Sequence, residues 1–249
     1  MAIPDISRPD PLLVLLEKQQ QFNAAMERYT ASRGYQLFGF MVSLSNIILQ
    51  VWLLSRLRLY AVSTMEVLLL LVIAWLLTDF VNGLVHLYMD NNDRYTGPFG
   101  PLVANFHLHH KKPLYTKRSL ILVYFIESGS KVWLVPCLAL LALVEVATGM
   151  PPLLFHLLVY CGILSSIAEV SHYLCHTSTA STAAFLGNCC ILLGKRHHAI
   201  HHLQDNRNYA FLNGLTDPLI NVIARHVGHG YKEHTDRHYE TYALEGESR

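Results

Sequence analysis

Charged residues are scarce in this sequence, where Asp, Glu, Lys and Arg together make up 15% of 249 residues. Soluble domains usually carry about a quarter charged residues, so the shortage argues against an ordinary soluble protein. The formal net charge of only +1 argues against a nucleic-acid-binding protein, which needs a strongly basic surface. Hydrophobic residues make up 52% of the chain, and this excess indicates a membrane protein.

The sequence also lacks CxxC cysteine pairs and the HExxH protease motif. The five cysteines show no CxxC spacing, and we expect them to be reduced thiols packed in or against the bilayer. No HExxH sequence occurs, which excludes the zinc proteases that carry this motif. Histidine is the residue in excess, with 15 copies, and most of them are clustered.

Four apolar stretches approach the length of about 20 residues that a membrane-spanning helix needs. They cover about residues 35–55, 67–89, 132–148 and 153–173, and a further apolar run, 119–126, precedes the third. The sequence therefore predicts an all-α integral membrane protein with about four transmembrane helices.

Two other segments predict helices that do not span. Asp10 and Pro11 are typical of a helix N-cap and first position, and the helix over residues 11–30 is polar enough to lie on the membrane surface. The apolar run 183–194 is too short to span, so we expect an interfacial or re-entrant helix. These features divide the chain into an N-terminal amphipathic segment (1–33), a membrane domain (34–225) and a polar C-terminal tail (226–249).

The distribution of basic residues predicts the orientation. Most lysines and arginines lie in the N-terminal segment, in the 90–118 loop and in the C-terminal region, whereas Arg56 and Arg58 lie at the opposite end. By the positive-inside bias, both termini face the cytoplasm. The membrane is then the inner membrane of a bacterium or the endoplasmic reticulum of a eukaryote.

Four histidine motifs fall at this same cytoplasmic face. Two follow the ends of predicted spans with i,i+4 spacing, and two are downstream clusters; a predicted helix would place the residues of each i,i+4 pair on one face. The candidate metal ligands are His86, Asp90, His109, His110, His172, His176, His197, His198, His201 and His202. The spacing looks like an internal duplication, since each half has a helix-end pair followed by a clustered pair.

These residue types favour iron. Imidazole combined with carboxylate suits iron, whereas thiolates suit zinc and clusters, and an i,i+4 pair spaces its ligands about 6 Å apart along a helix. The set predicts a histidine-rich di-iron cap, which can activate O2 and remove hydrogen from an unactivated C–H bond. Asp79 and Glu169 lie one or two turns inward, where a carboxylate is expected to orient a ligand imidazole.

The remaining histidines have other expected roles. We expect His156 to be a hydrogen-bonded core residue, and the histidines of the C-terminal tail to be solvated. Within the last cluster, His198, His201 and His202 are stronger ligand candidates than His197.

The ordered motifs resemble those of the plasmanylethanolamine desaturase family, which includes the plant plastid fatty acid desaturase that acts on palmitoyl-phosphatidylglycerol. The resemblance covers about residues 75 to 221. The matching elements are Asp79 to His86, His86-x-x-x-Asp90, His109-His110, Phe125 to Glu127, His172-x-x-x-His176, His197-His198-x-x-His201-His202, Asn208-Tyr209 and Gly214.

The resemblance implies a membrane non-haem iron desaturase that introduces a double bond into the alkyl or acyl chain of a membrane phospholipid or ether lipid. It implies two iron ions on the ten candidate ligands, O2 as co-substrate, and a cytochrome b5-like or ferredoxin-like electron donor.

Two alternatives stay open. A membrane fatty-acid or sterol hydroxylase would use the same metal chemistry, although Asp90, where hydroxylases usually have histidine, and the spacing His107-x-His109-His110 favour a desaturase. A metal transporter would also carry His and Asp, but transport needs polar residues through the depth of several spans, and here they crowd one face. A haem protein would leave most of the histidine pairs unexplained.

Overall fold

The chain is all-helical in the computed structural model, which describes residues 10–111 and 115–242. Within these residues it forms eleven α-helices and no β-strand. In chain order they are α1 (Pro11–Ala31), α2 (Arg33–Arg56), α3 (Thr64–Asp90), α4 (Gly100–Lys111), α5 (Leu120–Glu127), α6 (Leu134–Thr148), α7 (Pro152–Thr177), α8 (Ser181–Asn188), α9 (Lys195–Leu203), α10 (Asp217–Val227) and α11 (Tyr231–His234).

Three helices are long and apolar enough to cross a membrane, namely the segments Arg33–Leu59, Thr64–Asp90 and Pro152–Thr177. The pair Leu120–Ser130 and Leu134–Thr148 makes a fourth if the two count as one broken span, bent by 91°. The prediction of about four apolar spans is therefore confirmed as three or four. The fourth differs from a straight helix, because the run 119–126 forms a separate helix, α5.

Helices α3 and α7 lie side by side and parallel, held by polar residues inside the apolar layer. Asn82 Nδ2 donates to Ser165 Oγ at 3.3 Å, and Thr78 Oγ1 donates to the carbonyl of Cys161 at 3.5 Å. Polar side chains that bond each other across helices are typical of membrane helix packing. The parallel arrangement brings the C-terminal ends of both helices, which carry candidate ligands, to the same end of the molecule.

An ion pair at the opposite end of the molecule explains why Arg56 lies there, against the positive-inside bias. Arg56, at the end of α2, donates to Glu145 Oε1 on α6 through Nε at 3.1 Å and Nη2 at 2.9 Å. Tyr60 also donates to this oxygen, at 3.2 Å. Arg56 therefore neutralises a buried carboxylate. Near the same end, His156 bonds Tyr160 and the Tyr60 carbonyl, which confirms it as a hydrogen-bonded core residue.

The first helix begins as the sequence predicts and then packs against the rest of the chain. Asp10 Oδ1 accepts the Leu12 N–H at 2.9 Å, with Pro11 at the first helical position. The buried face of α1 includes Phe22, whose ring packs edge-on to Tyr95 at 5.3 Å and near Tyr239 at 6.0 Å. Helix α1 therefore joins the N-terminal and C-terminal segments at the end that carries the candidate ligands.

The C-terminal segment differs from the loose, solvated tail that the sequence predicts. Tyr231 and His238 are buried, and His238 Nδ1 lies 2.9 Å from the Tyr95 hydroxyl. The Tyr231 hydroxyl donates to the carbonyl of His201. Aromatic residues among the charged ones give the segment an apolar face, so it covers the ligand-bearing end of the helices. Residues 243–249 of the predicted tail lie outside the described part of the chain.

Two short helices complete this end of the molecule. Helix α8 has no buried residue and precedes α9, as expected for a non-spanning helix that delivers the last histidine cluster. Helix α10 is amphipathic: Ile220 and Ala224 pack on Leu87 of α3, while Leu219 and Val222 are exposed.

Candidate metal centre

Four helices bring the candidate ligands together. His86 and Asp90 occupy the last two turns of α3, and His172 and His176 the last two turns of α7. Helix α4 ends with His109 and His110, and the nine-residue helix α9 carries the last cluster. Because α3 and α7 are parallel, the two helix-end pairs lie next to each other, and α4 and α9 lie against them.

The first group of converging side chains consists only of histidines. The Nε2 atom of His198 lies 2.9 Å from that of His172 and 3.0 Å from that of His202. The Nε2 atoms of His172 and His176 are 3.2 Å apart. With His109 added, one ligand atom from each of five residues lies within 4.8 Å of all the others: His109, His172, His176, His198 and His202.

The second group contains three histidines and the carboxylate of Asp90. His110 Nε2 lies 3.0 Å from Asp90 Oδ1, and His201 Nε2 lies 3.4 Å from Asp90 Oδ2. His86 Nε2 is 3.6 Å from the same Oδ2 atom. All four ligand atoms again lie within 4.8 Å of one another.

The two groups divide the adjacent histidine pairs between them. His109 belongs to the first group and His110 to the second, and likewise His202 belongs to the first group and His201 to the second. Neighbouring residues on a helix point about 100° apart, so an adjacent pair at a helix end can serve two centres. The sequence duplication therefore does not correspond to one centre per half, because both halves contribute to both groups.

The residues present fit metal ions. Nitrogen ligands at right angles, each about 2.1 Å from one ion, lie about 3.0 Å apart, which matches the spacing of 2.9–3.2 Å in the first group. Three buried ligand atoms of the two groups have no hydrogen-bond partner, namely Asp90 Oδ2, His109 Nε2 and His201 Nε2. Buried polar atoms are rarely left without a partner, and nitrogen and oxygen donors without thiolate suit iron.

Burial keeps the imidazoles neutral, the form that binds metal. It lowers the pKa of His198 and of His109 well below the usual value, and neighbouring histidines lower both further. Burial also lowers the pKa of His201 to about 3, although the Asp90 carboxylate opposes the shift. These ligands therefore need lose no proton to bind an ion at neutral pH.

Backbone carbonyls orient two ligands of the second group. The Nδ1 atom of His86 lies 2.7 Å from the carbonyl oxygen of Tyr209, and that of His201 lies 2.8 Å from the carbonyl oxygen of Arg207. An Nδ1–H donated to a carbonyl leaves the Nε2 lone pair free for a metal. The sequence could not reveal these acceptors, because any residue type supplies a carbonyl.

Asp79 has a different contact from the one expected. Its Oδ1 accepts the backbone N–H groups of Leu212, Asn213 and Gly214 at 2.9–3.2 Å. Its Oδ2 accepts the N–H and hydroxyl of Thr216 at 3.1 and 2.7 Å. These five bonds hold the turn that follows Arg207 and Tyr209, whose carbonyls accept from the ligand imidazoles. Asp79 therefore supports the backbone and does not bond an imidazole directly.

Glu169 lies nearer to a ligand. Its Oε2 is 4.0 Å from His172 Nδ1, while Oε1 accepts from Lys131 Nζ at 3.1 Å and from Ser130 Oγ at 3.2 Å. The closest partner of His172 Nδ1 is the hydroxyl of Tyr115, at 3.1 Å. Tyr115 had no motif to mark it, because it belongs to the loop after α4.

His197 is the one predicted ligand that the structure does not bring into either group. Its Nε2 lies 2.5 Å from Asp217 Oδ2, and it is not among the nine residues whose ligand atoms converge. His107, which precedes the His109–His110 pair, bonds the Tyr95 hydroxyl and the Met89 carbonyl.

Comparison with known proteins gives one match. Residues 75–226 match the family model of a lipid desaturase domain, which is more than half of the chain and includes all nine converging residues. No curated protein and no solved structure matches the chain.

Proposed function

The chain belongs to the lipid desaturase family, and from this premise we propose that it is an O2-dependent membrane enzyme that introduces a double bond into an alkyl or acyl chain of a membrane lipid. The observation that carries the proposal is the convergence of nine ligand-type side chains into two adjacent groups at one end of apolar spans. Two neighbouring groups support a two-ion centre.

Iron is the metal that this donor set favours, and two bound iron ions would supply the activation of O2 and the removal of hydrogen from carbon. The five histidines of the first group would hold one ion, and the three histidines and Asp90 the other. Hydrogen bonds from His86 and His201 to carbonyls hold their Nε2 atoms ready for binding.

The aromatic ring of Phe211 packs against both candidate ligand groups. It lies edge-on to His86 at 5.4 Å and tilted against His172 at 5.6 Å, so it contacts one ligand from each group. Phe211 is buried, as are His172, His198 and His201. Burial of these side chains limits the access of water, which would compete with the lipid chain for the reactive centre.

The substrate that we propose is a membrane phospholipid or ether lipid, as in the plasmanylethanolamine desaturases that the motifs resemble. The candidate ligands occupy the ends of spans, which is the depth of a bilayer where head group and chain meet. A lipid held in the membrane would then present the part of its chain near the head group.

An electron donor is required by the balance of the reaction. Removing two hydrogens from the chain supplies two of the four electrons that reduce O2 to two waters, so two more electrons and two protons must come from elsewhere. We propose a one-electron carrier of the cytochrome b5 or ferredoxin type, bound near the first group, where His109, His176 and His202 are only half-buried.

For orientation, we propose that the metal centre and both termini face the cytoplasm. The support is that α1, α4 and the C-terminal segment pack together at the ligand-bearing end, where most basic residues of the chain lie. A protease-cleavable C-terminal tag should then be cut in inverted vesicles and protected in sealed cells. Cleavage only in sealed cells would indicate the opposite orientation.

The test of function is lipid analysis of cells with and without the chain, together with the iron content of the purified protein. We expect a lipid that has lost two hydrogens and about two irons per chain. The His198→Ala variant should form no such lipid and hold less iron, although it still inserts into the membrane. His226→Ala changes an exposed histidine and is the matched control. A product that gained oxygen without a double bond would instead identify a hydroxylase. Metal uptake with no changed lipid would identify a transporter.

A further inference from the structure

His197 is the histidine of the last cluster that belongs to neither ligand group. Its Nε2 lies 2.5 Å from Asp217 Oδ2, and the Asp217 side chain is 1% exposed, whereas that of His197 is 35% exposed. The pair joins the first turn of α9 to the first turn of α10. Hydrogen bonds to a buried carboxylate are among the stronger ones in proteins, so this contact fixes the direction of the ring.

Residues 207–216, within the segment between these two helices, supply the carbonyls that orient His86 and His201, and we call them the support loop. Asp217 uses its second oxygen, Oδ1, to accept the N–H of Ala210 at 2.9 Å. Asn208 Nδ2 donates to the carbonyl of His197 at 3.0 Å. The His197–Asp217 pair is thus bonded to the loop on both sides of Tyr209, whose carbonyl accepts from His86.

The second half of the support loop is held independently by Asp79 through the five bonds from residues 212–216. At Gly214, where φ is +83°, a side-chain carbon would stand 2.7 Å from His197 Nε2. Only glycine combines this backbone conformation with this close approach. The support loop therefore packs closely against the His197 ring at Gly214. This close packing would not be needed if the ring turned toward a metal ion.

We propose that His197 is a positioning residue and not a metal ligand. With Asp217 it clamps the first half of the support loop, so that the carbonyls of Arg207 and Tyr209 hold His201 and His86 with Nε2 directed at the second ligand group. The inference rests on the proposed function for its consequence in metal binding. The clamp itself is a property of the metal-free chain.

The experiment compares metal binding by full-length variants in lipid nanodiscs, stripped with a chelator and titrated anaerobically with Fe²⁺. Loss of an outer hydrogen bond to a ligand typically weakens metal binding roughly 10- to 100-fold. We therefore expect His197→Ala to bind as much iron at saturation as the unchanged chain, with a dissociation constant raised by roughly that factor. His198→Ala, which removes a ligand, should bind less iron at any concentration.

Two further variants separate positioning from ligation. His197→Gln places an amide N–H near the position of Nε2 and should recover most of the affinity by bonding Asp217. Asp217→Ala also removes the bond to the Ala210 N–H, so it should raise the dissociation constant at least as much as His197→Ala. The double variant should be little worse than Asp217→Ala, because both single changes remove the His197–Asp217 contact. Reduced iron at saturation in His197→Ala, or fully additive losses in the double variant, would overturn the proposal.

Hydrogen exchange of the metal-free chain distinguishes failure of the clamp from failure of the proposed function. His197→Ala should speed amide exchange in residues 207–211, whereas the exposed-site control His226→Ala should not. Unchanged exchange in His197→Ala would overturn the clamp. If the unchanged chain bound no Fe²⁺ while His197→Ala still sped exchange in residues 207–211, the proposed function would be overturned and the clamp would stand.

Discussion

At the scale of single residues, Asp79 has five hydrogen bonds to lose. A carboxylate can accept bonds on both oxygens, and here both are saturated by donors from residues 212–216. In Asp79→Asn an amide NH2 group replaces one oxygen and faces N–H or O–H donors. A buried donor without a partner costs about 1–3 kcal/mol, so we expect a clearly lower melting temperature in detergent.

The same substitution should reduce lipid desaturation less than His86→Ala, because it moves a loop and removes no ligand. Asp93→Asn is the matched control, since Asp93 is 41% exposed and pairs with Lys18 at the surface, where ion pairs contribute about 0–1 kcal/mol. Equal melting temperatures for the two variants would show that the five bonds do not stabilise the fold. A larger activity loss than in His86→Ala would point to a direct role in the reaction.

Sequence spacing predicts which candidate ligands converge where a helix fixes the direction of the side chain. The pairs His86–Asp90 and His172–His176 have i,i+4 spacing on helices, and both enter the groups as expected. His197 has the same spacing to His201, yet it turns to Asp217, a partner 20 residues away. A side-chain rotation set by a distant partner leaves no local pattern, and neither do the carbonyls that orient ligands.

At the scale of elements, the break between α5 and α6 is the feature that apolar length alone could not predict. Gly129 lies at the break, where a side-chain carbon would stand 2.7 Å from the Gly39 carbonyl oxygen of α2. After it comes Lys131, a buried lysine inside the helical bundle. Its carboxylate partner is Glu169 of α7, at 3.1 Å.

Lys131 ties the broken span to the ligand-bearing helices. Its ammonium donates to Asn82 of α3 as well as to Glu169, and lies 4.2 Å from the ring centre of Phe211. In Lys131→Met the apolar stem is kept and the Glu169 carboxylate loses its cation. Removing one partner of a buried ion pair costs about 3–5 kcal/mol. We expect a correspondingly large fall in the melting temperature of the purified protein.

The double variant Lys131→Met with Glu169→Gln provides the comparison. It removes the buried charge along with its partner, so it should melt above Lys131→Met alone. Lys18→Met, at a partly exposed pair, should change the melting temperature little. If Lys131→Met melted like the unchanged protein, the ion pair would not hold the broken span in place.

At the scale of the whole molecule, the candidate metal centre joins parts of the chain that are far apart in sequence. Composition and apolar runs predict the spans, and the clustered histidines predict that their ends meet. The division of ligands between two groups and the cover formed by α1 and the C-terminal segment depend on how α4 and α9 pack, which no single stretch of sequence determines.

This arrangement predicts that metal removal destabilises the whole protein. An ion that binds only the folded chain, at 100 times its dissociation constant, stabilises the fold by about 2.7 kcal/mol. For a chain of this size, that stabilisation corresponds to a rise in melting temperature of roughly 5–10 °C for each ion. Chelation should therefore lower the melting temperature by at least this amount, and Fe²⁺ should restore it.

The stability lost on chelation should be concentrated in particular segments of the chain. Helices α4 and α9 are short and reach the centre through the candidate ligands that they carry, whereas α3 and α7 are long and pack against each other. Hydrogen exchange after chelation should accordingly rise most in α4, in α9 and in residues 207–211, and least in the middle of α3 and α7. Because His198→Ala removes a ligand from the first group, its melting temperature should respond less to chelation than that of His226→Ala. An equal response in both variants would mean that the ion binds elsewhere.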